Sequence, residues 1–174
     1  VYTAHHSDRV AAMAVVLARV LHLSEDDTTT VQVAAFAHDI GKISMSDAVL
    51  RKAGPLTDAE REEMRRCPVT GYDILRKVPQ FQRVALIVRH HHERWDGCGF
   101  PDQLAGTAIP LGARIIAVAD SIDAMMSSRS YRPAMTAPVC HHEIEKNSGV
   151  MYDPQVVAAA MNCWDELESR YTEV

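Results

Sequence analysis

Apolar residues recur three and four positions apart along most of this chain, and no segment of useful length alternates apolar with polar residues. The first spacing is typical of amphipathic helices, whereas a half-buried β-strand would need the alternating pattern. The segment from Leu111 to about Met126 is so densely apolar that we expect a central, largely buried helix there. The sequence therefore predicts an all-α fold, a bundle of about seven to nine helices.

Capping signals indicate where several of these helices begin. Ser24 precedes three acidic residues, and Thr57 is followed by Glu60 in the spacing of a capping box. Asp153 precedes a proline, the residue that best tolerates the first helical position. The expected helices cover about 3–22, 25 to near Gly41, 57 onward, 69 onward, 81–92, 111–126, 136 onward and 154 to at least Trp164. The helix after Pro79 is expected to bury Phe81, Val84, Leu86, Ile87 and Val88.

Residues 93–110 interrupt the helical pattern. Three glycines and two prolines fall within these 18 positions, and they cannot all belong to one regular element. Loops of this length in compact domains are mostly functional or disordered, and Trp95 and Phe100 favour an ordered loop.

Length and composition bound the class of protein. The chain has 174 residues, a formal net charge of −5 and a pI near 6.0, which predicts one domain without the basic field needed for nonspecific nucleic-acid binding. No apolar stretch approaches the length of a membrane helix. The four cysteines lack C-x-x-C spacing, so we expect a reducing, cytoplasmic location. Because Val1 falls close to the first predicted helix, we expect a fragment of a longer protein.

Histidine and aspartate residues occur near the ends of several predicted helices. Asp120 is flanked by Val118, Ala119 and Ile122, and a buried carboxylate in such surroundings must be paired or bound to a metal. Imidazoles and carboxylates gathered from different helices of a bundle suit zinc, iron, nickel or manganese. The candidate ligands are His6, His38, Asp39, His91, His92 and Asp120.

Seven sequence motifs in a fixed order carry a family resemblance. They are H-S-D-R-V at 6–10, H-D-I-G-K at 38–42, H-H-E-R-W-D-G-C-G-F-P at 91–101, I-P-L-G-A-R-I at 109–115, A-D-S-I-D-A at 119–124, R-S-Y-R at 129–132 and G-V-M-Y-D-P-Q-V-V at 149–157. Together they resemble the HD-GYP branch of the HD phosphohydrolases. The resemblance implies that residues 1–174 form one HD-GYP domain of a larger bacterial signalling protein. It further implies a metal-dependent phosphodiesterase that converts cyclic di-GMP to pGpG and then to GMP.

The resemblance also implies roles for individual residues. His6, His38, Asp39, His91, His92 and Asp120 would bind two divalent metal ions, with the two carboxylate oxygens of Asp39 able to contact both. Asp39 and Lys42 would carry the catalysis. Substrate contacts would fall on Lys42, Asp123, Arg129 and Arg132, and Asp123 could instead orient a ligand. The implied partners are cyclic di-GMP, an upstream sensor or receiver domain, and GGDEF-type proteins at the 93–110 loop.

Plainer interpretations of the cations remain open. Lys42 lies where a cation would complement the dipole at the C-terminal end of a helix. Arg129 and Arg132 could be solvated surface residues.

Four positions depart from the family pattern. Cys67 stands where the family has a metal-binding histidine, and three readings follow: a thiolate ligand, a weakly held second metal, or a small buried cysteine. Tyr2 replaces a glutamate that binds a third metal in some members, so we expect at most two ions. Phe100 replaces the tyrosine of G-Y-P, and Gln103 replaces a glycine.

Three functions therefore remain open at the level of sequence. The leading one is the cyclic di-GMP phosphodiesterase. The second is a receptor for cyclic di-GMP that has been weakened catalytically by Cys67. The third is a phosphohydrolase of the same kind that acts on another nucleotide.

Overall fold

The computed structural model describes residues 5–52, 54–128 and 133–172, and all of its extended regular structure is helical. The prediction of an all-α bundle is confirmed. Ten α-helices form in the described residues, one more than the upper end of the expected range, because residues 47–50 add a single turn. They are α1 His6–Val20, α2 Glu25–Ala37, α3 Asp47–Leu50, α4 Asp58–Arg65, α5 Cys67–Leu75, α6 Gln82–His90, α7 Leu111–Met126, α8 Ala137–Lys146, α9 Pro154–Asn162 and α10 Trp164–Thr172.

The core lies where α1, α2, α6 and α7 pack together. The expected central position of α7 is confirmed, because Ile115, Ile116 and Val118 are fully buried. Met13 and Leu17 of α1 are fully buried in the same core. Burying side chains of this size contributes about 1.5–3 kcal/mol each, which makes this helix group the stable base of the fold. None of the described helices is long and apolar enough to span a bilayer.

The predicted helix starts are confirmed at three positions. The Ser24 hydroxyl accepts a hydrogen bond from the backbone of Asp27, and Thr57 forms the complete capping box with Glu60. The carboxylate of Asp153 caps α9 and also accepts a hydrogen bond from Arg114 at 2.5 Å. Thr136 precedes α8 as expected, although its side chain makes no capping hydrogen bond.

Two expectations about helices were wrong. The helix predicted from 154 through Trp164 divides at Cys163, whose backbone leaves the helical region before α10 begins. The apolar spacing continues across this break, so periodicity alone did not reveal it. In the segment after Pro79, Phe81 and Leu86 are 36% and 45% exposed, not buried. Leu86 faces a surface groove formed by the N-terminal parts of α2, α6 and α7.

The 93–110 loop is ordered, as its aromatic residues predicted. The backbone of Trp95 donates a hydrogen bond to Met151, and the Arg114 guanidinium lies 5.9 Å from the Trp95 ring centroid. Gly99 approaches the backbone of Glu93 so closely that a Cβ there would lie 2.5 Å from a main-chain atom. Gln103 adopts a left-handed backbone with φ of 55°. This conformation explains why the related family has glycine at that position.

Candidate metal centre

Four helices bring the candidate ligands to one place, since each ligand lies within one of these helices or next to its end. His6 begins α1, His38 and Asp39 follow the last residue of α2, and His91 and His92 follow the last residue of α6. Asp120 projects from α7, one turn before Asp123. Because α1, α2, α6 and α7 form the core, the packed helices fix the positions of these side chains.

The imidazole of His6 lies at the middle of the cluster. Its Nε2 atom is 3.3 Å from Nε2 of His38, 3.7 Å from Oδ2 of Asp39 and 3.4 Å from Oδ1 of Asp120. One ligand atom from each of His6, His38 and Asp39 lies within 4.8 Å of the others. The structure therefore brings together these four sequence-predicted residues.

His91 and His92 extend the cluster. The ring centroids of His38 and His91 are 5.3 Å apart, and those of His91 and His92 are 4.0 Å apart. The charge of Asp120 raises the pKa of both His38 and His92, against the larger effect of burial, so Asp120 acts on both groups of imidazoles. All six predicted ligands thus form one continuous cluster of four imidazoles and two carboxylates.

The hydrogen bonds of the imidazoles fit metal binding. The Nδ1 atoms of His38 and His91 lie 2.6 and 2.7 Å from backbone carbonyls, and Nδ1 of His6 lies 2.6 Å from Asp123. These acceptors require protons on Nδ1, which leaves lone pairs on the Nε2 atoms. Two lone pairs 3.3 Å apart repel unless a proton or a metal cation lies beside them. Within the part of the chain that the structure describes, Nε2 of His91 is buried without a hydrogen-bond partner. The donor set therefore fits a divalent metal ion.

Burial favours the neutral forms of three of these imidazoles, those of His38, His91 and His92. Desolvation lowers the pKa of His38, although the charge of Asp120 opposes it. Desolvation also lowers the pKa of His91 well below its usual value and that of His92 to about 4. Metal ions bind neutral imidazole, so the rings do not have to lose a proton near pH 7.

Asp123 holds the His6 ring in place through its Nδ1 atom, and Arg9 holds Asp123. The Arg9 guanidinium donates to Oδ1 of Asp123 at 2.5 Å, and both residues are almost fully buried. Burial raises the pKa of Asp123, but the hydrogen bonds from His6 and Arg9 outweigh it and lower the pKa overall. Asp123 was expected to contact substrate or to orient a ligand, and its burial behind His6 favours the orienting role.

Sequence reasoning missed Arg9 as a functional residue. It lies three positions after His6 on α1, so the two side chains share a helix face. That spacing, together with a carboxylate on α7, is the signal that could have identified it.

Lys42 lies beside the centre, in the short 3-10 helix Ile40–Ser44 that follows α2. Its Nζ atom donates to Oδ2 of Asp39 at 2.9 Å, and the side chain keeps 26% of its surface exposed. A partly exposed ammonium group beside the cluster can meet an anion that enters from solvent. This position favours phosphate contact over the helix-dipole interpretation.

The surroundings of Asp120 differ from those that the sequence predicted. A quarter of its side chain is exposed, so the argument that it is a buried carboxylate was wrong. The apolar neighbours in sequence occupy other faces of α7, and Asp123 is the buried carboxylate of this helix. Arg129, Arg132 and Tyr2 lie outside the described residues.

Cys67 lies in a small apolar cluster beside the centre. It packs with Met45 and Val49, its Sγ atom contacts the carbonyl of Glu63 at 3.9 Å, and burial raises the pKa of its thiol. A Cβ on Gly41 would lie 1.9 Å from the Cys67 carbonyl, so glycine allows the start of α5 to approach the H-D-I-G-K segment. The packing fits the small buried cysteine, and the thiolate ligand stays a prediction.

Phe100, an aromatic residue of the 93–110 loop, contacts one of the candidate ligands. The Phe100 ring centroid is 5.0 Å from that of His92. Asp102 anchors this part of the loop, because it accepts hydrogen bonds from Arg89 on both oxygens and lies 2.9 Å from Nε2 of His90. The sequence assigned no role to His90, and the structure places it in this loop anchor.

The fold and the site define a helical domain with a candidate metal centre of histidine and aspartate residues. A family model described as HD domain matches residues 2–156. The chain belongs to the HD-domain family, and the resemblance seen in the sequence is confirmed.

Two relatives and one solved structure illustrate the similarity. The "Cyclic di-GMP phosphodiesterase response regulator RpfG" of Xanthomonas campestris is 42% identical over 163 residues, 92% of this chain and 43% of that protein. The "3'3'-cGAMP-specific phosphodiesterase 3" of Vibrio cholerae is 37% identical over 173 residues, 99% of this chain and 38% of that protein. The chain therefore spans less than half the length of each relative.

The fold is also that of a solved structure from Vibrio cholerae, a cyclic GMP-AMP specific phosphodiesterase called V-cGAP3. The TM-score is 0.73 at 20% sequence identity, and the match covers 97% of this chain and 48% of that one. At this identity the likeness concerns the helical architecture.

Proposed function

We propose that this domain is a metal-dependent phosphodiesterase that hydrolyses cyclic di-GMP to pGpG, GMP or both. The observation that carries the proposal is the single cluster of four imidazoles and two carboxylates, with Lys42 beside it. Such a set can hold divalent ions and present a cation to a phosphate group. The name of the Xanthomonas relative supports cyclic di-GMP as the substrate.

The proposed cofactors are two divalent metal ions, with iron, manganese, nickel and zinc as candidates. The residues that would hold them are His6, His38, Asp39, His91, His92 and Asp120. When bound, such ions supply a water of lowered pKa and neutralise charge on the phosphate. We propose that Asp39 serves both ions, because a carboxylate offers two oxygens and its Oδ2 atom already lies 3.2 Å from His38 and 3.7 Å from His6.

The protein's own residues would prepare the reaction. Asp123 keeps the proton of His6 on Nδ1, and Arg9 fixes Asp123. The ammonium group of Lys42 would bind the scissile phosphate and stabilise the charge that develops on it. Arg129 and Arg132 remain proposed substrate contacts.

The same proposal covers the other domains of the full-length protein and its partners. We propose that residues 1–174 are one domain of a larger signalling protein, since the chain matches less than half of each relative. The description of the Xanthomonas protein as a response regulator supports a receiver or sensor domain upstream. Contact of the 93–110 loop with GGDEF-type proteins is a further proposal.

A specific observation favours a second substrate. The Vibrio relative, 37% identical, is named as specific for 3'3'-cGAMP, so one base of the cyclic dinucleotide can differ among related proteins. The third candidate is a cyclic di-GMP receptor without turnover, which the Cys67 departure favours.

One experiment separates these candidates. The purified domain is stripped with chelator, its metals are counted, and its turnover of cyclic di-GMP and 3'3'-cGAMP is measured with added manganese, iron, nickel or zinc. We expect metal-dependent hydrolysis of cyclic di-GMP. Faster turnover of 3'3'-cGAMP would select the second candidate, and tight binding without turnover would select the receptor.

We expect Lys42→Ala to separate phosphate binding from metal binding. The loss of a charge-assisted contact worth about 1.5–3 kcal/mol should reduce cyclic di-GMP hydrolysis about ten- to hundredfold. Metal content, measured by elemental analysis, should stay near the wild-type level. Unchanged turnover and affinity would mean that Lys42 does not bind phosphate and instead complements the dipole at the end of a helix.

We expect Cys67→His to raise metal occupancy toward two ions and to increase hydrolysis. Imidazole reaches farther than a thiol and does not require the thiolate that burial disfavours here. The check is metal stoichiometry and turnover of both forms. If wild-type protein already binds two ions and metal protects Cys67 from alkylation, then the cysteine is a ligand and the substitution should not help.

A further inference from the structure

Arg65 contacts the ring of Phe100, and this ring in turn contacts the candidate centre. It is the last residue of α4, and its guanidinium carbon is 5.8 Å from the ring centroid of Phe100. The Phe100 ring is in turn 5.0 Å from that of His92. A cation at this distance from an aromatic ring is attracted to it, so the contact orients the guanidinium at the edge of the centre.

A second set of contacts places the same segment beside the other half of the centre. Cys67, two residues after Arg65, is close enough to Lys42 and Asp39 for their charges to act on its thiol. The Cys67 carbonyl also touches the backbone of Gly41. The junction between α4 and α5 is therefore linked to His92 through the Phe100 ring and packs against the H-D-I-G-K segment at Gly41.

The charge of Arg65 is available to an incoming anion. The side chain is exposed, and no carboxylate forms an ion pair with it within residues 5–52, 54–128 and 133–172. One turn earlier on α4, Arg61 does pair with Asp58 at 2.5 Å. A guanidinium without a carboxylate partner presents a planar pair of donors that matches two phosphate oxygens.

We infer that Arg65 binds the second, non-scissile phosphate of a cyclic dinucleotide whose first phosphate lies at the metal centre beside Lys42. This inference rests on the proposed function. A cyclic dinucleotide carries two phosphodiester groups in one ring, and only one can be hydrolysed at a time. The other needs its own cation at the rim, and Arg65 is an exposed guanidinium held beside Phe100. Arg65 thus selects ligands with two phosphates over simple diesters.

The test compares substrates with two phosphates and one. Wild type, Arg65→Ala and Arg65→Lys are assayed with cyclic di-GMP, 3'3'-cGAMP and bis(p-nitrophenyl) phosphate, a diester with a single phosphate. The matched control is Arg83→Ala, which also removes one arginine. Arg83 pairs with Asp26 near the start of α6, about 12 Å along the helix axis from His91. Melting temperature and metal content are measured for every form.

For Arg65→Ala we expect KM for the cyclic dinucleotide to rise about ten- to hundredfold, with kcat within about twofold of wild type. Hydrolysis of bis(p-nitrophenyl) phosphate should not change, and Arg65→Lys should lose less affinity than the alanine variant. The dissociation constant measured on chelated protein should rise in parallel, which also tests binding if turnover is slow.

Two results would overturn the inference while the proposed function stands. One is an unchanged KM and dissociation constant for the cyclic dinucleotides. The other is an equal loss on both kinds of substrate, which would mean that Arg65 only supports Phe100 and His92. Wild-type protein that hydrolyses bis(p-nitrophenyl) phosphate but neither binds nor hydrolyses a cyclic dinucleotide would overturn the proposed substrate and this inference together.

Discussion

Asp39→Ala should abolish metal-dependent hydrolysis while the helical fold remains. The carboxylate lies within 3.7 Å of two candidate imidazole ligands and accepts a hydrogen bond from Lys42. Its removal takes away the carboxylate proposed to hold both ions and leaves the ammonium of Lys42 without this partner. We expect the rate to fall to about a thousandth of wild type or below, the scale seen when a central electrostatic group is lost.

The measurements are cyclic di-GMP turnover, metal stoichiometry and far-UV circular dichroism. Asp73→Ala is the matched control, because Asp73 is a half-exposed aspartate of α5 that pairs with Arg76, the residue after that helix. The control should keep its metals and activity. A variant at position 39 that hydrolyses cyclic di-GMP at the wild-type rate with metal present would exclude the two-metal proposal.

The helices and the ligand cluster were predictable because their signals are local or repeated. Apolar spacing and three capping residues are properties of short segments, and Ser24, Thr57 and Asp153 behave in the structure as their chemistry predicts. Histidine and aspartate motifs at helix ends pointed to one centre because helices packed around one core bring such ends together.

Features set by packing between distant segments were not predictable in the same way. On α7, Asp120 and Asp123 both have apolar neighbours, and only the packing of α1 decides that Asp123 is buried and Asp120 is partly exposed. The contact of Arg65 with Phe100 joins residues 35 positions apart and has no local signal. The break at Cys163 was missed because the apolar pattern does not change there.

Asp123→Asn should weaken metal binding although it changes no residue in direct contact with the proposed ions. The Asp123 carboxylate accepts the shorter hydrogen bond of Arg9 on Oδ1, at 2.5 Å, and a longer one on Oδ2, at 3.3 Å, and Nδ1 of His6 lies 2.6 Å from Oδ2. An asparagine has one acceptor oxygen and one amide donor, and Arg9 can only donate. The oxygen must therefore face Arg9 and the amide must face Nδ1 of His6. That arrangement moves the His6 proton to Nε2, the atom needed as a ligand.

We expect metal affinity to fall about ten- to hundredfold, the loss typical when a residue that hydrogen-bonds a metal-binding histidine is replaced. Calorimetric titration with manganese or zinc measures this directly, and turnover at saturating metal should recover in part. Ser127→Ala is the matched control: it removes a hydroxyl that accepts from Arg9 at 3.3 Å and donates to Oδ2 of Asp123 at 3.4 Å, but it leaves both acceptor oxygens of Asp123 in place for His6 and Arg9. Its metal affinity should stay near wild type. Equal metal affinity in Asp123→Asn and wild type would show that the orientation of His6 does not depend on this carboxylate.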